Sequence, residues 1–286
     1  MKKKKILIML VTVFMLLLGV LSACGKEEAS TTEKKAIATD LPDLPKEIKD
    51  RGKFVVAVKV DYPPLGYLDE DGKNVGYEID LVKKMAEYAF GSEDAVEYVP
   101  VNATNRIPFL QSKKVDFISA TLGITEERKK EVDFTSSTFY AGAVTVVPNN
   151  SDIKKVSDLA GKKVIVIKGS TASIYLDENI PTAKQIKIEN NSDAFRALKD
   201  GRADAILHDA VLMSEFIKTN KDYVMVGDQV AASHMAQGVR KGDDELLAFL
   251  NASLEKMKKE DYYQTLVEKY MPSMADATSD GLIPRP

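Results

Sequence analysis

The chain has 286 residues, 44% hydrophobic and 29% charged, the proportions of a soluble globular protein long enough for two ordinary domains. Its formal net charge of −3 offers no basic face for nucleic acid, so no nucleic-acid partner is expected. A single cysteine excludes an internal disulfide, and the two histidines, His208 and His234, have no cysteine company for a metal centre. Both histidines are read as structural or peripheral, and no metal or cofactor is expected.

Lys2 to Lys5 precede an apolar run over residues 6–20, and Leu21-Ser22-Ala23-Cys24 follows. This is the order of an export signal: basic start, apolar middle, small residues at the cut. The run is about fifteen residues, shorter than the roughly 20 a spanning helix needs. Leu21-Ser22-Ala23-Cys24 resembles the lipobox of bacterial lipoproteins. That resemblance implies loss of residues 1–23, acylation of Cys24, and a lipid-anchored protein on the extracytoplasmic face of the cell membrane. Without Lys2 to Lys5 the chain keeps 36 basic against 43 acidic residues, a mildly acidic exterior. Residues 24–46 carry Lys, Glu, Ser, Thr, Ala and Pro with little to bury, the composition of a flexible tether.

The folded body is expected from about Gly52. Phe54-Val55-Val56-Ala57-Val58 is a compact apolar run and predicts a buried strand. Asp61-Tyr62-Pro63-Pro64 breaks it, and Asp69-Glu70-Asp71-Gly72 is a turn. Ile79, Val82, Met85, Ala86 and Ala89 recur at helical spacing, predicting a helix over 78–90 closed by Gly91. A strand at 96–101, a short helix at 107–111 and a strand at 115–120 follow. A second set repeats the alternation: strands at 163–167, 185–188 and 205–207, with helices from Thr171 and over 193–200, the latter capped by Gly201. Extended apolar runs at 143–147 and 232–240 follow the two sets, and Leu246, Leu250, Leu254 and Met257 mark a long amphipathic helix. Alternating strands and helices predict an α/β protein of parallel sheets, built as two lobes joined by crossing strands with a cleft between them.

Short motifs then accumulate in order. Pro63-Pro64-Leu65-Gly66-Tyr67, Gly76-Tyr77-Glu78-Ile79-Asp80-Leu81, Arg106-Ile107-Pro108-Phe109-Leu110 and Lys114-Val115-Asp116 come first. Ile124-Thr125-Glu126-Glu127-Arg128, Val132-Asp133-Phe134-Thr135 and Asp158-Leu159-Ala160-Gly161-Lys162 follow. Gly169-Ser170-Thr171 and Gly201-Arg202-Ala203-Asp204-Ala205 complete the series. Across about residues 47–271 this resembles the family 3 bacterial extracellular solute-binding proteins, which feed polar amino acids to ABC importers. The resemblance implies a two-lobed periplasmic-binding-protein-like (type II) fold with a ligand cleft. The expected division is 47–140 with 232–275 as lobe 1, 141–231 as lobe 2, and a tail at 276–286.

A free amino acid offers an α-carboxylate, which a guanidinium can grip with two charge-assisted hydrogen bonds. Thr125 and Arg128 reproduce the family's Thr-x-x-Arg spacing, so the resemblance assigns that carboxylate to Arg128; residue chemistry alone would read it as one charge in an exposed run. Ser170 and Thr171 stand between a strand and a helix, where backbone N–H groups and hydroxyls cradle an anion or simply cap the helix. Asp209 follows a strand at the end where such sheets place ligand groups, and the family aspartate there accepts the α-ammonium; an N-cap is its ordinary reading. Tyr62 matches an aromatic that packs on the ligand. Thr121 and Gly123 belong to the same implied site, although Gly123 replaces a common Ser or Thr and keeps only its backbone N–H. Leu65 and Ala103 also stand where aromatics are common.

Lys59 and Arg106 resemble positions in aspartate- and glutamate-binding relatives, where cations neutralise a second carboxylate. The expectation therefore leans to an acidic amino acid, with cysteine or cystine as the alternative suggested by Asn105-Arg106 and Leu207-His208-Asp209. A free amino acid, a membrane permease and the membrane itself, through lipid on Cys24, are the expected partners, and the chain is expected to act as a monomer. An enzyme on the same fold would need a tuned acid or base. Glu78, Glu126 and His208 are its candidates, each with an ordinary surface explanation. A sensory lipoprotein is the remaining class.

Overall fold

The computed structural model describes residues 41–272; the signal segment 1–23, Cys24, the tether up to residue 40 and the tail 276–286 lie outside the described residues. The chain opens with α1 (Lys46–Arg51), β1 (Phe54–Val58), β2 (Asp61–Tyr62), β3 (Gly66–Leu68), β4 (Asn74–Val75) and α2 (Tyr77–Phe90). Next come β5 (Val96–Pro100), α3 (Arg106–Gln111), β6 (Phe117–Ser119), α4 (Glu126–Glu131) and β7 (Val132–Pro148). The second set holds β8 (Lys163–Ile167), α5 (Thr171–Asn179), β9 (Lys184–Ile188), α6 (Asn191–Lys199), β10 (Ala205–Asp209) and α7 (Ala210–Thr219). β11 (Tyr223–Arg240), α8 (Asp244–Lys259) and α9 (Tyr262–Tyr270) follow.

Why the strand runs are almost wholly apolar is explained by their packing. In β8, Val164 and Val166 enter one apolar cluster while Ile165 and Ile167 enter another on the opposite face. In β1, Val56 and Val58 face one cluster and Ala57 another. A strand covered on both faces has no polar side to present, which removes the period-2 alternation.

Strand order in the large sheet is β5-β1-β6-β11-β7-β10-β8-β9. β5, β1 and β6 are parallel, as are β10, β8 and β9. The two sets meet the antiparallel pair β7 and β11, which are 17 and 18 residues long. Ordinary strands are about five or six residues, so each of these is long enough to serve both sets. β6 joins β11 at Gly238 and Val239, whereas β10 joins β7 with Asp209 opposite Ala143. Sequence periodicity predicts extended chain only at 143–147 and 232–240; the extra length comes from the pairing of the two strands with each other, from Tyr223 opposite Pro148 to Arg240 opposite Val132. Register shifts between Val226 and Val230 and between Val230 and Ser233 bend the pair. We propose the lobe division 47–140 with 232–275 against 141–231 at these irregularities.

One boundary differs from the sequence reading. Leu44 and Ile48 are buried in the main core, so packed chain begins before Gly52 and inside the stretch read as tether. Elsewhere the helix over Tyr77–Phe90 ends where Gly91 adopts a left-handed φ of 75°, as the pattern predicts.

At its start α2 is pressed against the Pro64–Leu65 backbone: Tyr77 N–H donates to Pro64 O at 3.0 Å and Glu78 N–H to Leu65 O at 2.8 Å. Gly76 makes this approach possible. It holds φ at 128°, and a Cβ there would lie 2.4 Å from Leu65 O. Gly76→Ala must therefore shift the helix start or the loop. We expect a loss of about 2–4 kcal/mol in unfolding free energy. Urea denaturation checks it, and a variant within 0.5 kcal/mol of the parent, the scatter of about that size seen at ordinary surface sites, would contradict this account of the turn.

Candidate functional site

The parallel strands end on a common cavity of about 40 Å³. Lys59 follows β1, Tyr62 ends β2, Arg106 opens α3, and Thr121 and Gly123 follow β6. Arg128 comes from α4, Ser170 and Thr171 from the start of α5, and Asp209 from the end of β10. All nine residues singled out from the sequence thus line one cavity. Carboxyl ends of strands are where an α/β sheet presents ligand groups, because the loops there are free to carry polar side chains.

Arg128 is 8% exposed despite its place in a charged helix. Thr125 explains the helix: its Oγ1 accepts the Arg128 N–H at 3.2 Å as the N-cap. The guanidinium points inward, donating from Nη1 to Gly123 O at 2.6 Å and from Nη2 to Gly169 O at 2.8 Å. Those carbonyls belong to the first and second sets respectively, so one side chain ties both sides of the cavity. A Cβ on Gly123 would meet Ser233 Oγ at 3.0 Å and Thr171 Cγ2 at 3.2 Å, which accounts for glycine where a hydroxyl residue is common. Ser170 is the N-cap of α5, its Oγ accepting the Ser173 N–H at 3.1 Å. Its capping role and its place on the cavity wall hold together.

Asp209 behaves differently from an ordinary cap. It precedes α7 yet makes no side-chain cap bond. Its carboxylate instead accepts the Tyr62 hydroxyl across the cavity. Burial, and then the nearby Asp209 charge, push the Tyr62 phenol well above its ordinary range, so it stays a donor. Beneath it, the Asp209 N–H donates to His208 Nδ1 at 2.7 Å. That leaves His208 Nε2 to carry the proton and donate to Asn191 Oδ1 at 2.9 Å. Asn191 in turn donates its N–H to Asp61 Oδ2 at 2.8 Å, linking the second set to the first again.

For His208, read from sequence as structural or peripheral, the first alternative holds and the surface explanation does not: it is buried, its ring tilted against Tyr62, and burial lowers its pKa so that it is neutral. Glu78 lacks the surface explanation too. At 5% exposure it accepts the Thr121 N–H on Oε1 at 2.8 Å and on Oε2 at 3.0 Å. Burial raises its pKa to about 7, against the lowering effects of that N–H and of Arg106 and Lys59.

Both cations predicted for a second carboxylate reach the cavity. Lys59 is 4% exposed, with Nζ 3.0 Å from Asp61 Oδ1. Arg106 is 3% exposed and donates from Nη1 to Ala120 O at 2.6 Å and Thr121 O at 3.0 Å. Burial lowers its pKa, but a guanidinium remains cationic at neutral pH. Its Nε is buried without a hydrogen-bond partner. Three cations (Lys59, Arg106, Arg128) and three carboxyl groups (Asp61, Glu78, Asp209) therefore share the site. Sequence reasoning missed Asp61, Asn191 and Ser233. Asn190, whose side chain caps α6, was the available signal for moving that helix start from Asp193 back to Asn191.

Among the described residues no cluster of three or more His, Cys, Asp or Glu could bind a metal, and no helix is long and apolar enough to cross a membrane.

Comparison with known proteins gives the same direction. The model of the bacterial extracellular solute-binding proteins, family 3, matches residues 54–273. The ABC transporter glutamine-binding protein GlnH of Bacillus subtilis is 37% identical over 275 residues, spanning 94% of this chain and 97% of its own. The L-cystine-binding protein TcyJ of Escherichia coli is 29% identical over 227 residues, 78% of this chain and 84% of its own. Among solved structures, a cysteine-binding protein from Campylobacter jejuni superposes with a TM-score of 0.77 at 36% identity, covering 79% of this chain and 92% of that one. These neighbours are two-lobed binding proteins, and the chain is a binding protein for polar amino acids rather than an enzyme. It belongs to the bacterial extracellular solute-binding proteins of family 3.

Proposed function

We propose that this protein captures a polar L-amino acid in the cavity between its two lobes and hands it to the membrane permease of an ABC importer. One observation carries the reading: a buried guanidinium, Arg128, and an uncapped carboxylate, Asp209, come from different sets and face the same cavity. They are the complementary pair for an α-carboxylate and an α-ammonium. The mature protein is anchored by lipid on Cys24, outside the cytoplasm, and works as a monomer.

For the ligand's side chain, Lys59 and Arg106 supply donors and no acceptors. The matching group is an oxygen acceptor, so the proposal is glutamate or aspartate, with their amides as close competitors. The unpartnered Arg106 Nε favours the acids, since a carboxylate oxygen would satisfy it. The ion pair between Lys59 and Asp61 weakens that preference, because it matches one of the two cations internally. Cysteine or cystine is the second reading, favoured by the likeness to the Campylobacter jejuni protein.

Titration calorimetry against glutamate, aspartate, glutamine, asparagine, cysteine and cystine tests the class. Tightest binding of one of the first four is the expected outcome; tightest binding of cysteine or cystine refutes the side-chain assignment. In the same assay Arg128→Ala should weaken every ligand by about 2–5 kcal/mol, roughly 30-fold to several thousand-fold. Asp209→Asn should weaken them through the ammonium. Near-parental affinity in a folded Arg128→Ala protein would remove Arg128 from the site.

The anchor is tested separately. Cys24→Ser should block processing or release the protein from the membrane fraction in its native host. A processed Cys24→Ser protein that still needs detergent for extraction would disprove lipid attachment at this residue.

A further inference from the structure

Thr121 is β-branched, yet it holds φ at 51°, in the left-handed region such residues avoid. Two buried side chains keep it there from opposite sides. Glu78 takes its N–H on both carboxylate oxygens, at 2.8 and 3.0 Å. Arg106 Nη1 takes the carbonyl oxygens of Thr121 and Ala120, at 3.0 and 2.6 Å. Thr121 and Arg106 line the cavity; Glu78 stands one layer behind them. An outlying backbone conformation clamped beside a binding cavity points to a task for the clamp.

We propose that Glu78 is a positioning residue that sets how the cavity reads the ligand's charge: it fixes the Thr121 peptide against Arg106 and offsets the positive field of Arg106 and Lys59. Its charge then decides between a side chain ending in a carboxylate and one ending in a carboxamide. This inference rests on the amino-acid-binding reading above.

The charges that face Glu78 come from every neighbouring element. Arg106 opens α3, Lys59 follows β1 and Asp209 ends β10, while Tyr62 and Tyr77 add hydroxyls that remain neutral. Arg128 acts on Arg106, Asp61 pairs with Lys59, and His208 beside Asp209 is neutral. With Glu78 ionised, the three cations and three carboxylates balance. A glutamine zwitterion preserves that balance, whereas glutamate adds a negative charge with no counterpart. Protonating Glu78 leaves one positive charge spare, which glutamate's second carboxylate fills. Among side chains this buried an unmatched charge is costly, so the balance governs choice. The raised pKa of Glu78, about 7, brings the exchange into the neutral range.

The experiment is titration calorimetry of glutamate and glutamine at pH 6 and pH 8, on the parent, Glu78→Gln and Glu78→Ala, each checked by thermal melting. In the parent, affinity for glutamate relative to glutamine should rise about three- to tenfold as pH falls from 8 to 6. Glutamate binding at pH 8 should take up a proton, read from heats in two buffers of different ionisation enthalpy. Glu78→Gln keeps one acceptor for Thr121 but no charge, so it should favour glutamate already at pH 8, with no pH dependence and no proton uptake. Glu78→Ala loses the clamp and should weaken both ligands. A flat ratio in the parent, or a Glu78→Gln protein that weakens both ligands equally and keeps the parent's pH profile, overturns the inference alone. Failure of the parent to bind either ligand overturns the proposed ligand class and this inference with it. The parent's own pH profile decides the matter even if a variant does not fold.

Discussion

A guanidinium taken out of water must have its donors met inside the protein or it destabilises the fold by several kcal/mol. Arg128 meets that condition with two carbonyls, Gly123 O and Gly169 O, which lie on opposite sides of the cavity. Satisfying one buried charge therefore also joins the two sets of strands. The same device recurs between Tyr62 and Asp209 and between Asn191 and Asp61. Each crossing contact uses a polar group that the chemistry of an amino-acid ligand would also engage. On the proposed function, contacts across the cavity and ligand binding draw on the same atoms, and a ligand that replaces one partner of such a contact must return an equivalent bond.

Geometry upstream of the cavity makes this economy possible. β1 and β10 are buried and mostly apolar along their five residues, and Lys59 and Asp209 stand at their carboxyl ends, where the chain turns into the cavity wall. The long antiparallel pair β7 and β11 holds the two groups of ends toward one another. Its register is interrupted at four places between Val226 and Gly238, the span that separates the ends of the two strands' regular pairing.

The strand and helix pattern was legible in the sequence because it depends on local periodicity. β1 and β8 match their predicted limits, and α2 ends at the glycine that the pattern marks. The cavity-lining residues were legible through the order of motifs: all nine converge, though a motif says nothing about which partner each residue holds. Glu78 and His208 escaped for a physical reason. A carboxylate in the first turn of a helix is favoured there whether buried or exposed. Only Thr121, 43 positions away, decides that Glu78 is buried and engaged. His208 likewise depends on Asn191 from another element. The true length of β7 and β11 was hidden because each is extended by pairing with the other, a long-range match that local periodicity does not carry.

That distinction bears on selectivity. Lys59 and Arg106 are visible in the sequence as two cations, and two cations invite an acidic ligand. In the fold they are not equivalent: Lys59 has Asp61 beside it, while Arg106 has two carbonyls, an unmet Nε and Glu78 behind the Thr121 peptide. What a ligand meets is the charge left after these internal partners are counted. On the inference drawn for Glu78, preference between an acid and its amide belongs less to the residues touching the side chain than to the layer that supports them. Two relatives with the same wall residues could differ in ligand through that layer alone.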